Sequence, residues 1–395
     1  MSELSSASIG PTALVLGGGG ARGAYQAGVL RGIARRHPEL RLPILTGISA
    51  GAINTVFLAA HEGAFAAAAD DLAALWLTLS PEQVYDVDAW SLVRNVMRWA
   101  WRLVSGGGPV SEYTRGMVDT DPLEHLLRRV LCGDGPACLA GIARNIARGR
   151  LEAAALTATS YSTGQSVTWI QGRTIHLWDR PLRRAEATEL GVEHVMASSA
   201  LPLFFPARQV GNEWYGDGGI RLIAPLSPAL HLGAARILVI STHRARPNDA
   251  DASESHGYPP PAQILSVLSN AVFLDVIDQD VLRLKMINDL LRQIPHHRRG
   301  ELREVEVLTI RPSQDLGRMA RTYEPRLPAT LRFLTRGWGT RRTASPDVLS
   351  LMMFQADYMR ALVELGERDA EIEAERIESF LAGEATPRAT ARVTR

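Results

Sequence analysis

The sequence predicts an α/β fold built on a mostly parallel sheet, and three observations predict it. Short apolar runs alternate with helical patterns from Ala13 to about Ala60, the arrangement of strands joined by crossover helices. The run Gly17-Gly18-Gly19-Gly20-Ala21-Arg22-Gly23 follows the first of those strands and opens a helix. Gly47-Ile48-Ser49-Ala50-Gly51 follows the second strand and opens another helix.

Taken in chain order, Ala13-Leu14-Val15-Leu16 reads as a buried strand and Ala24 to Arg35 as its helix. Ile44-Leu45-Thr46 reads as the second strand, and Ala50 to Ala60, rich in Ala, Val and Leu, as the second helix. Ala64 to Leu131 reads as a helical insertion. Leu151 to Ser160 and Val167 to Gln171 read as paired strands around Thr163-Gly164. Val210 to Tyr215 reads as a hairpin turning at Gly211-Asn212, a dipeptide suited to a tight turn. Ala235 to Thr242 is a further buried strand, and the polar, proline-containing stretch His243 to Pro261 reads as a mobile loop. Gln263 to Arg292 carries a long helical pattern, Glu304 to Ile310 a last strand, and Ser345 to Leu381 a C-terminal helix. The expected organisation is a flexible N-terminus over 1–11, a main domain over 12–246, an α/β and helical extension over 247–381 packed on it, and a frayed tail over 382–395.

Composition narrows the function classes. A chain of 395 residues with 46% apolar content can bury a sizeable core. A net charge of +1 gives no ground for a nucleic-acid partner. Positive charge is almost all arginine, with Lys285 the one lysine. Cys132 and Cys138 flank Gly133-Asp134-Gly135-Pro136-Ala137. That loop can close as a disulfide, but two reduced thiols are the default for a cytosolic chain. Two cysteines alone make no metal site, so none is expected. Met1 to Gly10 has no basic start and no apolar core, so a signal peptide is not expected. The most apolar stretch, Thr55 to Leu79, is interrupted by His61, Glu62, Asp70 and Asp71, so no spanning helix is expected. The expected location is the cytoplasm or the inner face of a membrane.

The two glycine motifs carry the chemistry. Gly47-Ile48-Ser49-Ala50-Gly51 places a serine on a sharp strand-to-helix turn, which pushes its hydroxyl out of the backbone. The glycine run supplies flexible backbone N–H groups at a helix start, where an anion is stabilised. A nucleophile and an oxyanion site are two parts of acyl transfer, and the third is a base. Gly18-x-Gly20-x-x-Gly23 also satisfies the dinucleotide fingerprint. Such a site needs an acid at the end of the second strand, where this chain has Gly47 and Ser49; Glu39 precedes that strand. No Gly-Lys-Ser/Thr ending follows the run, which excludes a nucleotide phosphate loop.

Two kinds of base are open. His231, His243 and His256 lie downstream of Ser49, as a Ser–His–Asp esterase requires. In that fold, however, the nucleophile follows several strands and the oxyanion loop usually begins with histidine. Asp217, in Trp214-Tyr215-Gly216-Asp217-Gly218-Gly219, is the better candidate. Glycines on both sides allow close backbone approach to another element, which a plain turn does not need. A third reading keeps the glycine run for an anionic ligand and has no turnover; an intact Ser49 and Asp217 argue against it.

These motifs, in this order, resemble the patatin-like phospholipases. The resemblance rests on Gly18-Gly19-Gly20-Ala21-Arg22-Gly23, Gly47-Ile48-Ser49-Ala50-Gly51 and Asp217-Gly218-Gly219. Ala197-Ser198-Ser199-Ala200-Leu201-Pro202, followed by Phe205-Pro206, is similar to that family's segment before the aspartate. Gln355 to Leu362 is similar to its C-terminal helix, and the whole resemblance spans about Thr12 to Arg246. It implies a three-layer α/β/α fold and a Ser–Asp dyad with no histidine, no metal and no cofactor. Ser49 would be the nucleophile and Asp217 the base. The N–H groups of Gly18, Gly19 and Gly20 would hold the oxyanion, with Arg22 adding positive charge and Gly23, Gly47, Gly51, Gly218 and Gly219 shaping the motifs. The implied substrate is a phospholipid, lysophospholipid or other acyl lipid. Departures are small: Gly219 stands where many relatives have Ala, and Gly17 is an extra leading glycine.

Trp90 to Val104 stands out within the insertion. Arg94, Arg98 and Arg102 are four apart and share a helix face, beside Trp90, Val93, Met97, Trp101 and Val104, with Trp99 broadening the apolar surface. A basic stripe beside Trp-rich surface suits the boundary of an anionic membrane. The alternative is a helix packed on the core with its arginines outward. Gly106-Gly107-Gly108 after it reads as a hinge that suits a lid.

Overall fold

The computed structural model describes residues 10–85, 118–132, 138–202, 204–244, 276–327 and 347–383, together with 264, 267 and 270. Its strands are β1 (Thr12–Leu16), β2 (Ile44–Gly47), β3 (Ala153–Ser160), β4 (Ser166–Gly172), β5 (Asp179–Arg180), β6 (Arg183–Ala187), β7 (Arg208–Val210), β8 (Glu213–Asp217), β9 (Arg236–Ile240) and β10 (Glu306–Ile310). They form one sheet in the order β10-β9-β1-β2-β3-β4-β6-β5. The five strands from β10 to β3 are parallel to their neighbours, and β3 to β4 is antiparallel. The chain steps from β1 to β2 and β3 on one side, and later places β9 and β10 on the other. Its order therefore reverses at β1, and crevices at the carboxyl ends of strands beside such a reversal are where open α/β sheets bind ligands.

Strand alternation sends successive side chains to opposite faces, and both faces are covered. Leu14, Leu16, Leu45, Leu238 and Ile240 share a core with α1 (Gly23–Arg36), α2 (Ala50–Ala60), α3 (Phe65–Thr78) and the helix Ala356–Ile372. Ala13, Val15, Ile44, Ile237 and Val239 pack on the other face against the helices Ser227–His231 and Val276–Arg292. The result is the three-layer arrangement that the resemblance implied. β10 and the helices after it belong to this same sheet and core.

The hairpin at Gly211-Asn212 forms as β7 and β8, and the pattern over Gln263 to Arg292 appears as the helix Val276–Arg292. The insertion contributes α3, Pro81–Val84 and Asp121–Cys132. Trp90 to Val104 and Gly106-Gly107-Gly108 lie outside the described residues, as does most of His243 to Pro261. Among the described residues, no helix is long and apolar enough to cross a membrane. Cys132 and Cys138 are joined in a disulfide, in place of two free thiols. On either side of them the Leu139 N–H donates to the Leu131 carbonyl at 3.3 Å, which brings the two cysteines side by side.

The helix Ala356–Ile372 lies unusually close to α1. A Cβ on Gly28 would collide with the Val363 backbone, and one on Gly366 with the Tyr25 carbonyl. In an exposed helix, Gly→Ala gains about 1 kcal/mol. Gly28→Ala is expected to do the reverse here, costing on the order of 1–3 kcal/mol through overpacking. A urea midpoint at or above that of the wild-type protein would show that the two helices do not meet this closely.

Candidate active site

Two strands aim at the same point along one edge of β3. β2 runs parallel to β3 and ends with Gly47 opposite Leu156. β8 runs antiparallel and ends with Asp217 opposite Ala158. Since β4 occupies the other edge of β3 along Ala153–Thr159, β2 and β8 share one lane and approach head to head. Ser49, just past the end of β2, and Asp217, at the end of β8, therefore meet across the gap.

Ser49 takes the first position before α2 with φ 56° and ψ −127°. A non-glycine residue there is strained by on the order of 1–3 kcal/mol, and surrounding contacts must hold it. Two serines supply them. The Ser49 N–H donates to Ser198 Oγ at 3.1 Å, and Ser199 Oγ donates to the Ser49 carbonyl at 3.1 Å. Ser198 Oγ in turn donates to the Thr157 carbonyl on β3 at 2.7 Å, which ties the turn to the sheet. The Ala-Ser-Ser segment of the sequence thus has a mechanical role that its composition alone did not reveal.

Close packing makes the turn sharp. A side chain on Gly47 would strike the Gly51 carbonyl and the Thr55 hydroxyl; one on Gly51 would strike the Leu16 and Gly17 carbonyls. Gly23 faces the Trp76 ring, and Gly218 faces the Thr157 carbonyl.

Asp217 is fully buried. Its Oδ1 accepts the Gly219 N–H at 2.8 Å, and Oδ2 has no hydrogen-bond partner. Burial pushes its pKa up from 3.8 to about 6, against the smaller opposing effects of the adjoining Ser49 hydroxyl and the Gly219 N–H. Ser49 adjoins the carboxyl, yet its hydroxyl is outside hydrogen-bond geometry with Oδ2. The free oxygen is left as a proton acceptor beside it.

The glycine loop is anchored through its carbonyls. Gly17 O accepts from Gln26 Nε2 at 2.8 Å, Gly18 O from Thr242 Oγ1 at 2.7 Å, and Gly19 O from the Arg22 N–H at 3.0 Å. In a trans peptide the next residue's N–H points opposite to the carbonyl, so fixing these oxygens fixes the N–H groups of Gly18, Gly19 and Gly20. Gly19 and Gly20 have φ values of 154° and 53°, and Gly18 packs against the Ser49 side chain. Arg22 is nearly fully buried, and its guanidinium is turned to Asp347 at 2.5 Å, with Nε on Ser350 Oγ at 2.7 Å. Its charge is thus matched by a carboxylate, where the resemblance implied that Arg22 adds positive charge beside the oxyanion site.

Gly19, Gly20, Ser49, Ser199 and Asp217 open onto a narrow, mostly apolar cavity of about 50 Å³. Leu75, Trp76, Leu126, Leu127, Phe205 and Met352 form much of its wall. Among the described residues no histidine lines it. His231 lies on the other side of the sheet, packed against Trp178 with ring centroids 4.4 Å apart and planes tilted by 35°, and with Nδ1 at the Ser227 carbonyl. His243 is two residues beyond Ser241, whose hydroxyl its N–H reaches at 3.2 Å, and His256 is outside the described residues. Glu39 borders a different cavity beside His61 and Arg150, away from the glycine run. No group of three or more His, Cys, Asp or Glu suited to a metal occurs among the described residues.

The sequence model of the patatin-like phospholipases matches residues 14–230, more than half of the chain. The protein belongs to this family. No curated protein matches significantly. Among solved structures, VipD from Legionella pneumophila is similar at 12% identity and a TM-score of 0.34, over 90% of this chain and 67% of that one. Human GIVD cytosolic phospholipase A2, solved with methyl gamma-linolenyl fluorophosphonate, is similar at 12% identity and a TM-score of 0.46, over 95% of this chain. The present chain spans 59% of that enzyme's length.

The buried carboxylate has a consequence for stability. The folded protein holds the Asp217 proton more tightly than the unfolded chain, whose value is near 3.8. The stability this supplies is full below that value and is lost as pH rises through about 6. Asp217→Asn is therefore expected to be more stable than wild type at pH 8, by on the order of 3 kcal/mol, with the gap closing toward pH ~4. Denaturant midpoints at the two pH values check this; a pH-independent gap would mean that the carboxylate is not desolvated.

Proposed function

We propose that the protein is a serine acyl hydrolase that cleaves the carboxylic ester bonds of phospholipids or lysophospholipids through a Ser49–Asp217 dyad. One observation carries the reading: a buried carboxylate oxygen without a partner stands beside a serine held on a strained turn, at the end of an apolar cavity. Family membership supports it, since phospholipase chemistry is ester hydrolysis.

A serine hydroxyl is a poor nucleophile until a base takes its proton. Asp217 Oδ2 takes it as Ser49 Oγ attacks the ester carbonyl carbon. The carbonyl oxygen becomes an oxyanion, and the N–H groups of Gly18, Gly19 and Gly20 receive it. As the intermediate collapses, the bond to the alcohol oxygen breaks and protonated Asp217 returns the proton to that alcohol. Water then attacks the acyl-Ser49 carbonyl as Asp217 Oδ2 takes its proton; the bond to Ser49 Oγ breaks, the fatty acid leaves, and Asp217 returns the proton to Ser49 Oγ. The apolar wall holds the acyl chain, and the lipid further excludes water from the carboxylate. A base with a pKa near 6 is ionised at neutral pH yet stronger than an ordinary aspartate.

A lipid substrate makes a membrane surface the natural working place, with the protein peripheral to it.

Ser49→Ala is expected to abolish hydrolysis of a p-nitrophenyl ester and labelling by a fluorophosphonate, with the fold intact. Asp217→Asn should cost at least about a thousandfold in kcat, whereas His231→Ala and EDTA should leave it within about twofold. In the wild-type enzyme kcat/KM should fall tenfold per pH unit below about 6, as Asp217 takes up its proton. Ester hydrolysis retained by Ser49→Ala would remove the dyad, and loss on changing His231 would favour a triad.

A further inference from the structure

The segment that carries Arg22's counter-charge lies far outside residues 14–230, the part matched to the family. Asp347 opens the helix Asp347–Met352 and is nearly fully buried. Its Oδ1 accepts from Arg22 Nη2 at 2.5 Å and its Oδ2 from Asn270 Nδ2 at 2.8 Å. Ser350 Oγ receives Arg22 Nε at 2.7 Å and itself donates to the Asp347 carbonyl at 2.7 Å. The third arm of the guanidinium, Nη1, donates to the Thr242 carbonyl at 3.2 Å. Thr242 is the residue whose hydroxyl fixes the Gly18 carbonyl. A continuous buried path therefore runs from Asp347 through Arg22 and Thr242 to the peptide that joins Gly18 to Gly19.

The same helix touches the loop directly. A Cβ on Gly20 would collide with the Leu351 carbonyl. Leu351, Met352 and Phe354 then line the cavity. The loop is thus bounded on one side by the sheet and on the other by this C-terminal segment.

We propose that Asp347 is a positioning residue: through Arg22 and Thr242 it sets the direction of the glycine-loop N–H groups, and so the strength of the oxyanion site. This rests on the ester-hydrolase reading above. The geometry explains why an arginine is buried at this place at all. A guanidinium with three arms on three different groups fixes their relative positions in a way that a single hydrogen bond cannot. Rotation of the Gly18–Gly19 peptide would re-aim the Gly19 N–H, and oxyanion donors act only when aimed in advance.

The test compares kcat per Ser49 labelled to completion by a fluorophosphonate, with p-nitrophenyl butyrate as substrate. Thr242→Val should lower that kcat by about 10- to 100-fold with KM within about twofold, and Thr242→Ser, which keeps the hydroxyl, should restore most of it. Asp347→Asn should fall as far. The pair Arg22→Met with Asp347→Leu leaves no unpaired charge in the core and should show the same loss. Wild-type kcat per labelled site in Thr242→Val, or in the double variant, overturns the proposal. So does a fall in the number of labelled sites with kcat per site intact, because that is the behaviour of a residue needed only for folding. Absence of labelling at Ser49 in the wild-type protein would overturn the hydrolase reading instead, so the two failures are distinguishable.

Discussion

β3 can pair along each edge only once, and β2 and β8 share one of its edges. β2 stops opposite Leu156 and β8 stops opposite Ala158, coming from the other direction. Neither strand can continue without running into the other, so both must leave the sheet at this point. β2 leaves through the turn that strains Ser49, and β8 through the short 3-10 turn that begins at Gly218. Ser49 and Asp217 thus meet because of strand geometry. The glycines around them are what close crossing requires: Gly51 passes the Leu16 carbonyl and Gly218 passes the Thr157 carbonyl, with no room for a side chain. The Ser198 and Ser199 hydroxyls hold what the crossing leaves strained.

The same crossing buries Asp217, and among the described residues no cation is paired with it. Most buried carboxylates are paired, since desolvating an unpaired charge is costly. Among the described residues, the cation close to the glycine loop, Arg22, is bound to Asp347. That separation matters electrostatically. A guanidinium against Asp217 would pull its pKa down and weaken it as a base, whereas burial alone raises it to about 6. The fold therefore accepts a less stable protein at neutral pH in return for a more basic carboxylate, a trade often found at sites where activity and stability compete.

What was legible in the sequence was local. The glycine run, the serine turn and the aspartate hairpin each announce themselves within a few residues, because their backbone conformations demand glycine or a turn dipeptide. β1, β2, β9 and β10 were legible as apolar runs. What was not legible was contact across long separations. Nothing near Arg22 indicates Asp347, more than three hundred residues away, and an arginine in a glycine motif reads naturally as a free charge. Nothing near Cys132 showed whether it would pair with Cys138. The resemblance of Gln355 to Leu362 to a family helix was visible, but its close seat on α1 depends on Gly28 and Gly366 being aligned in space. The strands β5 and β6 were also missed, being short, charged and at the sheet edge, where no apolar pattern is imposed.

In the proposed mechanism a carboxylate stands where many hydrolases use an imidazole. A base with a pKa near 6 still leaves a large mismatch with a serine hydroxyl, so proton transfer alone lowers the barrier only modestly. The rest must come from groups that stabilise the developing oxyanion, and backbone donors do this only if they need not reorganise during the reaction. This places an unusual demand on the stiffness of a loop made of glycines, the most flexible residues available. The structure meets that demand from outside the loop. Every carbonyl from Gly17 to Gly19 is held by a partner: Gln26 below, Thr242 at the end of β9, and the start of α1. Gln26 is itself held by Asn54, and Asn54 by Trp76, which lines the cavity. Thr242 is held by Arg22. Flexibility permits the loop its φ values, and long-range hydrogen bonds remove the freedom that flexibility would otherwise leave. The loop and the cavity wall thus share supports, so a change in the wall at Trp76 or Leu351 reaches the loop N–H groups as well as the cavity.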